Sequence, residues 1–128
     1  MDKIQLTKNS IENAILTDGK LVGGYVDGNG YISAKGNGTI VFGDSTNGGV
    51  IDASGIGSFA HGYANTNGNI NAKGDGAHAE GYALSGTIDA SGNGAHAEGC
   101  NTAALANGAH AEGCETTASG NYSHAEGY

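Results

Sequence analysis

Small apolar residues and polar residues alternate in short segments along most of the chain. In residues 77–81, Ala-His-Ala-Glu-Gly, the alanines and the glycine share one side of an extended strand, while His78 and Glu80 lie on the other. A second alternating segment, such as Ile-Asp-Ala-Ser-Gly at 88–92, lies between successive copies of the first. The alternation predicts short β-strands with one buried and one outward side, separated by turns rich in glycine and asparagine.

These segments form internal repeats. The string Gly-Ala-His-Ala-Glu-Gly occurs at 76–81, 94–99 and 108–113, and a fourth copy beginning with Ser123 closes the chain. The closing glycines are spaced by 19, 19, 19, 18, 14 and 14 residues, at Gly24, Gly43, Gly62, Gly81, Gly99, Gly113 and Gly127. Fourteen residues accommodate two short strands and two turns but not two helices. We therefore predict an all-β fold, a β-solenoid of about seven coils over residues 19–128, each coil containing 14 to 19 residues.

The alternation also predicts which side chains fill the coils. A narrow coil has room for small side chains only, so we expect alanines inside, accompanied by isoleucine in the longer coils. In the two shortest coils Thr102 and Thr116 replace that isoleucine. The predicted interior alanines are Ala34, Ala53, Ala72, Ala90 and Ala118 on one strand, facing Ala60, Ala79, Ala97, Ala111 and Ala125 on the other. Such a core buries little apolar area, so we expect a lone chain to be unstable.

The outward positions of the second strand change character along the chain. The early copies carry Ile40, Phe42 and Phe59 there, whereas the later copies carry histidine and glutamate. A solvent-facing strand would not begin with large apolar residues, so we infer that this outward column faces other copies of the same chain. The outward column consists of Ile40, Phe42, Phe59, His61, His78, Glu80, His96, Glu98, His110, Glu112, His124 and Glu126.

The composition and net charge of the chain argue against two classes of function, nucleic-acid binding and membrane insertion. Glycine accounts for 25 of 128 residues, about a fifth, whereas about 7% is typical. The 13 acidic residues exceed the 5 lysines, giving a net charge of −8 that disfavours nucleic-acid binding. No apolar run approaches the ~20 residues that span a bilayer, and no export signal follows Met1. We expect no nucleic-acid partner and no membrane insertion.

The ends of the chain depart from the repeat. Residues 1–18 do not follow it, and we predict that they form an N-terminal cap over the first coil. The residues expected to cover that coil are Ile4, Leu6, Ile11, Ile15 and Leu16. The sequence stops in mid-repeat at Tyr128, where natural solenoids carry a cap. We therefore expect the chain to be an excerpt of a longer protein.

The later part of the outward column carries the only constellation of catalytic residue types. General acid/base catalysis needs one positioned pair in a cleft, whereas four equivalent pairs, one per layer, indicate a structural ladder. We therefore expect no enzyme activity and no cofactor. A transition-metal ion is the alternative, with His78, His96, His110 and His124 as candidate ligands. If each histidine pairs with a glutamate, the histidine pKa should rise and the glutamate pKa should fall, and stability should peak between the two values.

The two cysteines, Cys100 and Cys114, each follow the closing glycine of adjacent copies. Stacked strands bring such positions within the Cα spacing that a disulfide requires. Because side chains on parallel neighbours point the same way, we expect free thiols.

The repeat resembles a known family. The segment Ser-His-Ala-Glu-Gly at 123–127, with the x-x-A-x-G element before it, is similar to the S-V-A-I-G repeat of the YadA-like heads of trimeric autotransporter adhesins. The His-Ala-Glu-Gly variant also resembles repeats of phage and prophage tail proteins. The resemblance covers about residues 19–128 and implies a left-handed parallel β-roll assembled as a homotrimer, with the outward column on the threefold axis. This chain departs from the family by making that axis polar.

The resemblance also implies a function. It implies a non-enzymatic structural and adhesive segment of a fibre, exposed outside the cell on a phage tail or a bacterial surface. Its partner would be a surface receptor or glycan that no residue identifies. The alternative is a metal-stabilised trimeric solenoid that acts only as a rigid spacer.

Overall fold

The computed structural model of the chain describes residues 19–128 and two N-terminal strands, Ile4–Leu6 and Ile15–Thr17. These described residues form strands and turns and contain no helix. In chain order the strands are β1 (Ile4–Leu6), β2 (Ile15–Thr17), β3 (Lys20–Val26), β4 (Tyr31–Ala34), β5 (Ile40–Ser45), β6 (Val50–Ala53), β7 (Phe59–Asn65), β8 (Asn69–Ala72), β9 (His78–Leu84), β10 (Thr87–Ala90), β11 (His96–Cys100), β12 (Ala103–Ala104), β13 (His110–Cys114), β14 (Thr117–Ala118) and β15 (His124–Gly127).

The strands form two sheets, between which the chain alternates. Sheet A has the order β1-β4-β6-β8-β10-β12-β14, and sheet B has the order β15-β13-β11-β9-β7-β5-β3-β2. The strands β3 to β15 pair with one another in parallel only, and each of these pairings joins a strand to the equivalent strand of the next layer. The predicted all-β solenoid is confirmed at this level.

The register confirms the alignment of the repeats. In sheet B, Ala60 pairs with Ala79, and Ala79 pairs with Ala97. The closing glycines pair in the same way, with Gly62 opposite Gly81 and Gly99 opposite Gly113. Because strand side chains have a period of two, this register keeps the paired alanines of sheet B on the inner side and its outward residues on the other.

The core lies between the two sheets and consists largely of small side chains. Ile32, Ile51, Ile70 and Ile88 are fully buried, together with the predicted alanines up to Ala111. Thr102 is also fully buried and Thr116 nearly so, as predicted for the residues that replace isoleucine. Ala125 is half-buried, because β15 has a neighbour on one side only.

One corner of the solenoid is held by side chains that accept hydrogen bonds from the preceding layer. The amide of Ile56 donates to Asp75 Oδ1 at 2.9 Å, and the amide of Asp75 donates to Asn93 Oδ1 at 3.0 Å. The amide of Asn93 continues the series by donating to Asn107 Oδ1 at 3.1 Å. Short polar side chains at the turns thereby satisfy backbone donors that the sheets do not use.

The N-terminal strands pair antiparallel with the first long strands. β1 pairs with β4, and β2 pairs with β3, so these two strands lie at the same end of the two sheets. That is where a cap would lie, and the cap over the first coil remains a prediction. Ile11 falls outside the described residues.

Candidate functional site

The outward column lies on the exposed face of sheet B. Its first line runs through Ile40, Phe59 and His78 and continues through the later histidines, each paired in register with the next. Its second line runs through Phe42 and His61 and continues through the later glutamates in the same way. The structure therefore brings together all twelve side chains that the sequence placed in this column.

The aromatic rings of the first line form a continuous stack. Phe59 and His78 have ring centroids 4.9 Å apart and planes within 3°. His78 stacks on His96 at 4.6 Å and 3°, and His96 stacks on His110 at 4.8 Å and 4°. The last ring, His124, is tilted by 30° from His110. One rotamer thus repeats along the sheet, because the register places each imidazole directly above the preceding one.

Carboxylates of the second line bridge neighbouring imidazoles. His96 Nε2 lies 3.2 Å from Glu80 Oε1 and 3.1 Å from Glu98 Oε2, so it contacts glutamates of two layers. The corresponding contacts of His110, to Glu98 and Glu112, lengthen to 3.9 and 3.7 Å. The predicted His–Glu pairing is therefore an interlayer ladder whose tightest contacts lie in the layers of Glu80 and Glu98.

His61 differs from every other member of the column. It stands in the second line, where the later copies carry glutamate, yet it is an imidazole. Its Nε2 lies 3.0 Å from Glu80 Oε2 and 3.1 Å from His78 Nε2. The repeat pattern placed His61 in the outward column but named only the histidines of the first line as candidate metal ligands. The signal that points to it is the change from glutamate to histidine at one position of the repeat.

The pKa shifts correct one part of the prediction. Burial and the neighbouring His96 lower the pKa of His78 from its ordinary 6.5, outweighing the opposite effect of Glu80. Burial alone would raise the pKa of Glu80, but the hydrogen bond from His96 and the charges of His78 and His61 lower it below 4.5. The predicted decrease is confirmed for Glu80, and the predicted increase is wrong for His78. Desolvation of the stacked ring disfavours its charge more than one half-exposed carboxylate favours it.

The redox state of the two cysteines also differs from the expectation. Cys100 and Cys114 are directly paired between β11 and β13, with Cα atoms 4.7 Å apart, and they form a disulfide. The expectation of free thiols is wrong. Parallel side chains leave both Cα atoms within bridging distance, and rotation about each Cα–Cβ bond turns the two sulfur atoms toward one another.

The outward face of sheet A carries ion pairs that the sequence analysis did not identify. Lys35 Nζ lies 3.0 Å from Asp52, and Lys73 Nζ lies 3.1 Å from Asp89. Asp52 is largely buried and also accepts a hydrogen bond from Ser33. Each pair joins residues of different layers, so Lys35 and Lys73 neutralise acids on the opposite sheet from the ladder.

The part of the chain that the structure describes contains no helix long and apolar enough to cross a membrane. Comparison of the chain with protein-family models, with curated proteins and with solved structures found no match in any of the three.

Proposed function

We propose that the chain is a non-enzymatic structural and adhesive segment of a trimeric fibre. In this proposal three chains stand side by side as left-handed parallel β-rolls with coils of 14 to 19 residues, and their outward columns face a common threefold axis. The fibre lies outside the cell, on a phage tail or as the head of a bacterial surface adhesin. Its resemblance to YadA-like head repeats supports this choice of assembly and location.

The single observation that carries the proposal is the apolar start of the outward column. Ile40 is 38% exposed in the single chain, and Phe42 and Phe59 are only half-buried. Ile40 and Phe42 lie on β5, Ile40 pairs in register with Phe59 on β7, and Phe59 stacks on His78. Apolar side chains aligned over two layers lose this water contact if other chains cover them, which favours association.

The composition of the core supports the same conclusion. Most buried apolar residues in the later layers are alanines, which contribute little apolar area per ordered residue. Packing of the outward column against two further chains would bury additional apolar area, which the interior of one chain lacks. The ladder suits such an interface, because its imidazoles and carboxylates already contact each other within one chain.

The ladder also supports a non-enzymatic role. His96 and His110 occupy equivalent positions in successive layers, with parallel rings, each near the glutamate of its own layer and of the preceding layer, although the contacts of His110 are longer. A catalytic site requires one pair distinguished from its neighbours by position and pKa. A repeated arrangement of this kind suits a rigid fibre. The partner of that fibre at the cell surface would be a receptor or a glycan.

Sedimentation equilibrium tests the assembly. The wild-type chain should sediment as a trimer at micromolar concentration, and Phe42→Asp should abolish the folded trimer, because it places unpaired charge where three chains meet. Leu84→Asp is the matched control, since Leu84 is 47% exposed on β9 but lies outside the outward column. That variant should remain trimeric.

A folded wild-type monomer would overturn the proposal. So would a Phe42→Asp variant that keeps both the trimer and its melting temperature. The adhesive part is tested separately, by binding of the labelled trimer to bacterial cells and to a glycan array. If a stable trimer binds neither, the rigid-spacer alternative is supported and the adhesive function is rejected.

A further inference from the structure

A distinct group of side chains lies where the outward column changes from apolar to polar. Here His61, His78 and Glu80 direct one possible ligand atom each toward the others, all within 4.8 Å. His61 Nε2 lies 3.1 Å from His78 Nε2 and 3.0 Å from Glu80 Oε2, and His78 Nε2 lies 3.9 Å from Glu80 Oε1. We propose that these three residues of one chain form a binding site for a divalent transition-metal ion such as Zn²⁺.

The distances suit such an ion. Zinc binds histidine nitrogen and carboxylate oxygen at about 2.0–2.2 Å, so the ligand atoms of a tetrahedral ion lie about 3.3 Å apart. Two of the three separations, 3.0 and 3.1 Å, are close to that value. The third contact, 3.9 Å from His78 Nε2, is to the other carboxylate oxygen, Glu80 Oε1, so the carboxylate has to rotate to bring one oxygen close to both nitrogens.

One two-centre hydrogen bond cannot satisfy both neighbours of His61 Nε2, and without a cation a single N–H would have to be shared between Glu80 and His78. A neutral imidazole Nε2 carries either one hydrogen or one lone pair. If His61 Nε2 donates to Glu80, it has no lone pair to accept a hydrogen bond from His78. If it accepts from His78, it has no hydrogen for Glu80. A cation resolves the conflict, because all three atoms can then direct lone pairs to one point.

The donor set selects the class of metal. Two imidazole nitrogens and one carboxylate oxygen suit Zn²⁺ and its first-row neighbours, whereas Ca²⁺ and Mg²⁺ prefer oxygen ligands throughout. Three protein ligands also leave one coordination position for water. Because two of its three donors are nitrogen atoms, the site should not bind Ca²⁺ or Mg²⁺ at millimolar concentration.

Neighbouring rings hold the two histidines in place. Phe59 stacks on His61 with centroids 4.6 Å apart and on His78 at 4.9 Å. His96 covers the other side of His78 at 4.6 Å. Because stacking restricts ring rotation, the ligand atoms are positioned before any ion binds.

Two other groups in the ladder are less suitable. In His96, Glu98 and His110 the second histidine lies 3.9 Å from the glutamate, and only His96 is close to it, at 3.1 Å. In the last group the side chains of His124 and Glu126 are 52% and 69% exposed. Among the described residues, only the first group has two imidazole nitrogens within hydrogen-bonding distance of each other, at 3.1 Å.

The experiment compares zinc binding by the wild-type chain and three variants, each stripped of metal by a chelator. His61→Phe removes one ligand and keeps an aromatic ring, as at the paired position Phe42 of the preceding layer. His110→Phe makes the same change in the same column outside the site. Calorimetric titration should give one Zn²⁺ per wild-type chain, and Co²⁺ should develop the visible absorption of a tetrahedral complex.

His61→Phe should weaken zinc binding by at least about a hundredfold, since losing a ligand costs more than the 10- to 100-fold that losing a supporting partner costs. Glu80→Gln should weaken it in the same direction, and His110→Phe should leave it unchanged. Equal affinity of wild type and His61→Phe would overturn the site. So would one ion per three chains, or no binding by a wild-type chain with its native circular dichroism spectrum. If the chain is monomeric, one Zn²⁺ per chain still supports the site, so the site and the trimer can fail independently.

Discussion

At the scale of single residues, the space between layers decides which glycines can be replaced. Gly81 has a φ of +135°, and a Cβ there would collide with the backbone carbonyl of Gly99 in the next layer. Gly76 also has a positive φ, of +66°, but a Cβ there would meet nothing within 4 Å. Tyr122, at the corresponding turn of the last copy, has a φ of +58°, so that turn accepts a side chain. The closing glycine is required by the stacking of layers.

We expect Gly81→Ala to destabilise the chain by more than about 4 kcal/mol, because two backbones must separate to admit the methyl group. Gly76→Ala is the matched control and should cost only about 1–2 kcal/mol, the cost of a left-handed conformation for alanine. Urea unfolding followed by circular dichroism measures both. Equal losses for the two variants would contradict the close approach of the layers at Gly81.

At the scale of elements, the disulfide is a covalent link between adjacent strands of sheet B. Cys100 is the last residue of β11 and Cys114 is the last residue of β13. The disulfide bond joins residues that are 14 positions apart in the sequence. The strands beside it in sheet A, β12 and β14, contain only two residues each. The disulfide therefore joins two layers whose strands in the opposite sheet are short.

Replacing both cysteines, Cys100→Ala with Cys114→Ala, should lower the free energy of unfolding by about 3 kcal/mol, the loss of loop-closure restriction on the unfolded chain. Urea unfolding with and without a thiol reductant measures the effect. Reductant should destabilise the wild-type chain by a similar amount and should leave the double variant unchanged. Two free thiols titrating in the non-reduced wild type would refute the link.

At the scale of the whole molecule, the ladder couples stability to pH. The imidazole of His78 faces Glu80 and His61 and lies between Phe59 and His96, with the carboxylate of Glu98 nearby. The pKa values of His78 and Glu80 are both lowered in the folded chain, so the unfolded chain binds more protons than the folded chain as pH falls. Each group therefore contributes stability that is fully present above its ordinary pKa and is lost as pH falls through its pKa in the folded chain.

We expect the metal-free chain to be most stable above pH 6.5, and to lose stability first as His78 is protonated and then, below pH 4.5, as Glu80 is protonated. Thermal melting in chelator-containing buffers between pH 8 and pH 4 checks this direction. In the variant His78→Phe the upper part of the decline should shrink. A stability maximum near pH 5 to 6 would instead support a raised histidine pKa.

Much of the fold followed from local regularity. The alternation in Ala-His-Ala-Glu-Gly predicted strands and their two sides, and the spacing of the closing glycines predicted which residues pair between layers. The buried alanines, the replacement of isoleucine by Thr102 and the common position of His78 and Glu80 on the outward face were predicted for the same reason. A strand has a period of two and a repeated turn fixes the register, so these features depend only on neighbours in the chain.

Other features were decided by distances between layers, which no local pattern contains. The disulfide depended on a Cα separation and on side-chain rotation, and the lowered pKa of His78 depended on how much water its stacked neighbours displace. The convergence of His61 with His78 and Glu80 depended on which way three side chains turn across two layers. The sequence by itself determined the strands, their register and their two sides, because alternation and turns act locally. The tertiary structure decided the chemistry between the layers, because desolvation and ligand geometry arise only when distant residues meet.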